Sequence, residues 1–208
     1  MDLYSAIYQR RTIRDFSEQE LSMETIERIL DAGMRAPSND HMRNWEFVVI
    51  QDREERLKLL EKVPARVSAK KVEKILDTWN MTDECQRAMY MDAIPKQFFM
   101  LYQAGCLILP FFKQDQPLLK PGSLSALNAF ASIWCCIENI LLAATAEGLY
   151  TAIRIPFDKE IAYLRDYLKH PDNYVLPCFL AIGHPAENAA WNLQKEYNIK
   201  EKIHINKW

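Results

Sequence analysis

Apolar residues recur every three or four positions over much of the chain, a spacing that places them on one face of a helix. The spacing is clearest at Ile26, Ile29, Leu30 and Met34. We predict helices wherever it is sustained: 2–9, 23–35, 53–63, 66–78, 84–103 with an interruption at Pro95, 124–147 and 158–168. Glycine is rare, with 5 in 208 residues, and together with the long periodic stretches this predicts many helices around a small sheet.

Shorter apolar runs, rich in aromatic and β-branched residues, predict the strands. They lie at 45–50, 106–112, 150–155 and 175–182, and residues 202–205 are a candidate for a short final strand. Pro110 has no N–H to donate to a neighbouring strand. We therefore expect this part of the second strand at a sheet edge or at the end of the strand.

The helix predicted at 124–147 is apolar on nearly every side, and Gly148 is expected to end it. Such a helix is buried all round, either in the core or at a subunit interface. The uncharged stretch 121–137 contains three serines and an asparagine and ends at Glu138, which favours a buried helix over a membrane span.

The tail at 186–208 is predicted to be polar and extended, without a core of its own. Its apolar residues, among them Trp191, Ile203 and Trp208, favour packing across a partner subunit. A disordered tail is the alternative.

The composition is typical of a packed globular protein, and we predict a single domain over 1–208. The 26 Lys and Arg residues against 28 Asp and Glu residues give a formal net charge of -2, without the basic excess of a nucleic-acid binder. The five cysteines, with Cys135 and Cys136 adjacent, suggest reduced thiols. The first residues contain no basic stretch followed by an apolar core, so we expect a cytoplasmic protein with no membrane partner.

Several common chemical motifs are missing. The sequence has no G-x-G-x-x-G or G-x-x-x-x-G-K-[ST] phosphate cradle, no G-x-S-x-G turn and no C-x-x-C. The four histidines lie far apart, so we predict no metal site.

Four segments remain as candidates for chemistry. Residues 10–14 (RRTIR) place three guanidinium groups and a hydroxyl where they could hold a phosphate, and in an extended segment Arg10, Thr12 and Arg14 project to one side. Residues 35–45 form a polar loop before a buried strand, which suits hydrogen bonding to a heterocycle. The other two are the helix-to-strand turn at 146–152 and the strand end at 180–187. Taken singly, each could equally be a solvated basic stretch, a cap or a turn.

In this order the four segments resemble the FMN-dependent nitroreductase-like family. That family has R-R-[ST]-x-R-x-[FY] after its first helix, matched by RRTIRDF at 10–16, and A-P-[ST]-x-x-N-x-Q-P-W before its first strand, matched by APSNDHMRNW at 36–45. Its long helix runs into G-L-G-[ST], matched by GLYT at 148–151, and a later strand ends in G-[YH]-P-x-E, matched by GHPAE at 183–187. The resemblance covers nearly the whole chain.

The resemblance implies an α+β, nitroreductase-like fold, with a central, mostly antiparallel sheet flanked by helices. It implies an intertwined homodimer with an extended C-terminal tail and two FMN molecules at the subunit interface. The implied activity is hydride transfer from NADH or NADPH through the flavin to a small electrophilic acceptor, such as a nitroaromatic or a quinone, in a ping-pong cycle. No side chain is assigned as an obligatory acid or base.

The resemblance also assigns binding roles. Arg10, Thr12 and Arg14 would hold the phosphate, ribityl chain and pyrimidine edge of FMN, and Arg11 would contribute mainly through its backbone. In addition, it places two groups of residues around the flavin ring: Tyr150 and Thr151 from the same subunit, and Pro37, Ser38, Asn39 and His41 from the other. A basic residue of the tail would complete the phosphate site; Lys195, Lys200 and Lys202 all qualify, and Lys195 is taken as the candidate.

The sequence departs from the family pattern at four positions, which are His41, Arg43, Asn44 and Tyr150. FMN binding is expected to survive these changes, whereas the substrate pocket is expected to differ. A cationic Arg43 near the flavin could stabilise a reduced anionic flavin or an acidic substrate, or could form a salt bridge with a nearby carboxylate.

Three other functions stay open. The first is a flavin-binding protein on the same scaffold with little turnover. The second is a specialised relative that cleaves flavin or removes halide. The third is a cofactor-free interaction protein that uses the helix at 124–147 as a dimer face.

Overall fold

The computed structural model describes residues 1–208. The chain divides into two compact units, one formed by residues 1–66 and 96–190 and the other by residues 67–95 and 191–208. The single domain expected from the length of the chain stays a prediction.

Eight helices and five strands make up the chain. The helices are α1 (Leu3–Gln9), α2 (Met23–Met34), α3 (Arg53–Leu59), α4 (Ala69–Thr78), α5 (Glu84–Ala93), α6 (Gln97–Gln103), α7 (Asn128–Ala146) and α8 (Asp158–Leu168). The strands are β1 (Trp45–Ile50), β2 (Cys106–Lys113), β3 (Tyr150–Arg154), β4 (Tyr174–Val175) and β5 (Phe179–Gly183). Short polar caps begin several helices, since Asp2, Ser22 and Asp52 each accept a backbone N–H of the first turn.

All five strands belong to one sheet of the first unit. Its order is β1-β2-β5-β3, with β4 beside the far end of β2, and every strand pair is antiparallel. The prediction of a small, mostly antiparallel sheet is therefore confirmed. The predicted strand at 175–182 is split into β4 and β5 around the segment that contains Pro177.

The two faces of the sheet carry separate apolar cores, because successive residues of a strand point to opposite sides. Cys106, Ile108 and Phe112 of β2 pack with α2 and α7 on one face. Leu107, Leu109 and Phe111 pack with α3, α6 and α8 on the other face. Helices therefore cover the sheet on both sides, which explains why β2 is buried along nearly its whole length.

The expected edge position of Pro110 is wrong, because β2 is a central strand. On one side β2 pairs with β1 from Leu107 to Phe112. On the other side β5 pairs with residues 106–108 and β4 with residues 112–113, which leaves an interruption at the level of Pro110. A proline is tolerated there because a neighbouring strand is missing on one side.

Helix α7 is a core helix with one uncovered stripe. Together with the 3-10 turn before it, the helix forms a segment, Leu124–Ala146, that is long and apolar enough to cross a membrane by length and composition alone. The helix nevertheless packs against α2, β2 and β3. Ile133, Ile137 and Ile140 are buried, whereas Ala131, Cys135 and Glu138 are exposed along one line of the helix. The prediction that this helix is buried on every side is therefore wrong for a single chain. The exposed stripe favours the other alternative, a subunit interface.

The second unit consists of α4, α5 and the tail. Val72 and Leu76 of α4 pack with Ile94 after α5, where the helical stretch breaks before Pro95 as predicted. Asn192 donates to Asp92 at 3.0 Å and Lys195 donates to Asp83 at 2.6 Å. The strand predicted at 202–205 is wrong, since the tail forms a 3-10 turn at Ile199–Lys202 and the unit has no strand with which it could pair.

Candidate functional site

The basic segment 10–14 lies beside the outer edge of strand β3. Helix α1 ends at Gln9 with Arg10 as its C-cap, and the chain then runs along β3. Thr12 forms a parallel bridge with Thr151, and the Ile13 N–H donates to the Thr151 carbonyl at 3.1 Å. Ile13 is buried in the core, so the alternation of an extended chain turns Thr12 and Arg14 the other way. The structure thus brings Arg10, Arg11, Thr12 and Arg14 to the same edge as Tyr150 and Thr151.

The segment continues along the end of β5. Phe16 bridges to Pro185, and the Ser17 N–H donates to the His184 carbonyl at 2.9 Å. Gly183 permits this contact, because a Cβ there would lie 2.7 Å from the Gly105 nitrogen and 3.1 Å from the Phe16 ring. Three of the four motif segments therefore meet at one place.

Asp15 holds the basic segment in place through hydrogen bonds. The sequence motifs did not identify this role. Its carboxylate accepts from Lys96 Nζ at 2.7 Å and from the Ala190 N–H at 3.1 Å, and its carbonyl accepts from the Ala186 N–H at 2.8 Å. A carboxylate within a basic run was the only local signal for this role, and its partners are 81 residues or more away in sequence.

The turn between α7 and β3 positions Tyr150 and Thr151. Gly148 has a φ of 76°, and the Leu149 N–H returns to the Ala144 carbonyl at 2.8 Å, as expected for a glycine that ends a helix. Just before it, Glu147 accepts two hydrogen bonds from Arg28, at 2.9 and 3.0 Å. The Arg28 guanidinium lowers the pKa of the Glu147 carboxyl, so this link between α2 and α7 is retained until the solution is more acidic than the usual pKa of a glutamate.

The loop at 37–43 lies against the first turns of α7. The Asn39 N–H donates to Ser132 Oγ at 3.0 Å, and Asn128 Nδ2 donates to Asn39 Oδ1 at 3.3 Å. Pro37, Asn39 and His41 are exposed, and Ser38 is half-buried. The sequence indicated Asn128 and Ser132 only as polar residues in an apolar helix, because which loop they meet depends on the fold.

The same loop has unusual backbone geometry. Asp40, His41 and Arg43 have φ values of 50°, 54° and 44°, in the left-handed region. For residues other than glycine this conformation costs about 1–2 kcal/mol each. Strain of this kind is typical of binding loops held by their surroundings.

A cavity of about 310 Å³ lies between this loop, the end of β2 and the start of α7. Arg43 lines it, and within the chain its guanidinium has neither an ion pair nor a hydrogen bond. The alternative of a salt bridge to a nearby carboxylate is therefore wrong for Arg43.

One chain does not bring the loop to the basic segment. Thr151 is level with Ile182 and Cys106, whereas Trp45 begins β1 three strands across the sheet and six residues further along. With about 4.8 Å between strands and about 3.4 Å per residue, the two places are roughly 25 Å apart. Pro37, Ser38, Asn39 and His41 thus lie far from Arg10 in the same subunit.

Lys195 belongs to the second unit, where it pairs with Asp83. This ion pair raises the pKa of the lysine and lowers the pKa of the aspartate. Its assignment to a phosphate site stays a prediction.

The five cysteines differ sharply in their expected reactivity. Burial in apolar surroundings raises the pKa of Cys106, Cys136 and Cys178 to about 12, whereas Cys85 is half-buried and Cys135 is exposed.

Because the thiolate is the reactive form, we expect the three buried thiols to resist a disulfide reagent at about pH 8 in the folded protein. A thiol titration before and after urea should release them only on unfolding. Rapid reaction of more than two thiols in the folded state would contradict this expectation, and Cys135→Ser is the control that identifies an accessible thiol.

Comparisons with known proteins agree on one family. A sequence profile described as the Nitroreductase family matches residues 7–184. A protein of Methanothermobacter thermautotrophicus named "Putative NADH dehydrogenase/NAD(P)H nitroreductase" is 28% identical, over 100% of this chain and 88% of its own length.

Solved structures agree on the fold. A BluB-like flavoprotein from Clostridium difficile 630 has a TM-score of 0.73 at 22% identity and covers 100% of both chains. An FMN-dependent nitroreductase from Clostridium difficile R20291 has a TM-score of 0.65 at 22% identity, with 99% of each chain covered. These likenesses confirm the predicted α+β, nitroreductase-like fold.

Proposed function

Because the chain belongs to the nitroreductase family, we propose that it is an FMN-dependent oxidoreductase. The electron donor would be NADH or NADPH, and the acceptor a small electrophile such as a nitroaromatic or a quinone. The names of its relatives support the donor and the cofactor, since one is called an NAD(P)H nitroreductase and another an FMN-dependent nitroreductase. FMN, when bound, supplies a two-electron carrier that accepts a hydride and passes the electrons on in a ping-pong cycle.

The observation that carries the proposal is the half-buried Arg10 beside the Thr12–Thr151 bridge. The Arg10 guanidinium has no ion pair or hydrogen bond within its own chain, so its donors are available for a phosphate. A guanidinium binds phosphate oxygens in a bidentate, charge-assisted manner, and a hydroxyl such as that of Thr12 adds a further donor. These residue types fit the phosphate end of FMN.

The rest of the cofactor site would come from the partner subunit. The loop at 37–41 leads into Trp45, which lies roughly 25 Å from Thr151 in the same chain by strand spacing, so the loop could contact a ligand at the basic segment only from a second copy. An interface of this kind is supported by the exposed stripe on α7 and by four exposed apolar side chains on α1, namely Leu3, Tyr4, Ile7 and Tyr8. We therefore infer a homodimer with two equivalent sites.

In this arrangement the role of the protein would be to bind FMN and to orient it. Arg10 would pair with the phosphate charge and Arg14 would donate to the pyrimidine edge. The backbone of Tyr150 and Thr151 would border the ring, and the loop at 37–41 of the partner subunit would cover its other side. No side chain of the chain is required as an acid or a base. The five unpaired cysteines support a cytoplasmic location, where thiols stay reduced.

A flavin-binding protein with little turnover is the second candidate, and Tyr150 favours it. This half-buried tyrosine stands where the family pattern has a glycine, and it places a ring next to Thr151. Such a ring could restrict the approach of a nicotinamide to the flavin.

The absorbance spectrum tests both candidates. The proposal predicts a yellow protein with FMN absorbance that NADPH or NADH bleaches and an acceptor restores. A colourless protein that takes up no added FMN would reject both candidates, and a yellow protein that neither nucleotide bleaches would favour the second.

A further inference from the structure

We propose that the cavity beside the loop at 38–45 binds an aromatic carboxylate, and that Arg43 is the residue that selects it. The inference rests on the proposed function in one respect, since it takes this compound to be the electron acceptor. The cavity, of about 310 Å³, is of a size that suits small molecules, whose sites are commonly about 300–1,000 Å³.

Four charged residues line the cavity, and their formal charges cancel: Asp40, Arg43, Lys113 and Asp115. Because the net charge of the lining is zero, the residue expected to bind a charged ligand is the one whose hydrogen-bonding groups are still unused. Asp40 already accepts from Asn39 Nδ2 at 2.9 Å. Asp115 accepts from Asn173 Nδ2 at 3.3 Å and faces Lys113 Nζ at 3.9 Å. Arg43 alone has no counter-ion or acceptor within the chain, and its planar fork of donors matches a carboxylate.

The backbone holds Arg43 in a defined place. Its N–H donates to Ser38 Oγ at 3.2 Å, and its carbonyl accepts from the Trp45 N–H at 2.7 Å. Its φ of 44° is in the left-handed region, which this loop maintains without glycine. The side chain thus starts from a fixed point at the cavity, so binding must order the Arg43 side chain but not the loop that carries it.

The wall next to Arg43 is aromatic. Trp45 and Phe112 are direct neighbours across β1 and β2, and both border the cavity, although only 6% and 1% of their surfaces are exposed. Ala126 and Ala129 add apolar surface from the other side. A flat ring against this apolar wall with its anionic group on Arg43 satisfies both features, whereas a compound without a ring or without a negative charge satisfies one of them.

Binding without turnover tests this inference directly. The probes are 4-nitrobenzoate and its neutral counterpart 4-nitrobenzamide, titrated by calorimetry into the full chain in the absence of any reductant. One charge-assisted bidentate contact predicts that the carboxylate binds about 10-fold or more tightly than the amide. Arg43→Gln should abolish this preference, and Arg43→Lys should retain part of it, because an ammonium keeps the charge but not the fork.

Arg66→Gln is the matched control. Arg66 is an exposed arginine that does not line the cavity, so its loss changes the net charge equally and should leave the preference intact. Circular dichroism checks that each variant is folded. Equal affinity for the two probes in the unmodified protein, or a preference that survives Arg43→Gln, overturns the inference.

Steady-state rates separate this inference from the proposed function. With NADPH as donor, the ratio of kcat/KM for the two probes should fall about 10-fold or more in Arg43→Gln. If the protein binds no FMN but still prefers the carboxylate in calorimetry, the proposed function fails and the anion site stands. If FMN is bound and bleached but the two probes are equivalent, the anion site fails and the oxidoreductase stands.

Discussion

The Arg10→Ala variant is expected to bind FMN about 10- to 100-fold more weakly than the unmodified protein, since a hydrogen bond to a charged group contributes about 1.5–3 kcal/mol. Arg10 is the half-buried guanidinium without a partner in its own chain, beside the Thr12–Thr151 bridge. In the proposed site, its removal would take away a phosphate contact and leave the bridge intact. Fluorescence titration of the flavin-free protein with FMN gives the affinity.

Two comparisons make this result specific. Riboflavin lacks the phosphate, so its affinity should be nearly the same in both proteins. Arg66→Ala, which removes an exposed arginine elsewhere, should leave FMN binding unchanged. Unaltered FMN affinity in Arg10→Ala would contradict the assigned role, and an absence of flavin binding in every variant would favour a cofactor-free interaction protein.

The Glu160→Gln variant is expected to be less stable by about 3–5 kcal/mol, because it leaves a buried guanidinium without its counter-ion. The side chains of Arg154 and Glu160 are only 2% and 4% exposed, and their two hydrogen bonds measure 2.5 and 2.6 Å. Glu160 also accepts the Phe157 N–H at 3.0 Å at the start of α8. Urea unfolding measures the loss.

Asp31→Asn provides the comparison on the surface. Asp31 pairs with Arg35 while both side chains remain more than half exposed, so breaking that pair should change the unfolding midpoint little. A Glu160→Gln protein with the same midpoint as Asp31→Asn would show that the buried pair contributes little to stability.

Elements that depend on local pattern could be predicted from the sequence. The spacing of Ile26, Ile29, Leu30 and Met34 gave helix α2, and WEFVVI gave β1, because periodicity and β-branching act within a few residues. The grouping of the basic segment with Tyr150 and Thr151 followed from the family resemblance rather than from local pattern.

Features that depend on distant contacts could not be predicted. Pro110 lies in a central strand because β4 and β5 leave a gap beside it, and the position of that gap depends on residues far along the chain. The lone Arg43 and the buried Arg154–Glu160 pair are likewise set by which elements come together. Residues 202–205 have a strand-like pattern, but no strand of their unit is available to pair with them.

The central claim is that each flavin site contains the basic segment of one subunit and the loop of the other. Mixing two defective variants tests it most directly: Arg10→Ala, and Pro37→Trp, which places a bulky ring on an exposed loop position. At an FMN concentration that fills the unmodified protein but neither variant, random subunit exchange should restore about a quarter of the sites, since each mixed dimer contains one site with two intact halves. No recovery of bound FMN, in a mixture whose exchange native mass spectrometry has verified, would contradict a site shared between two chains.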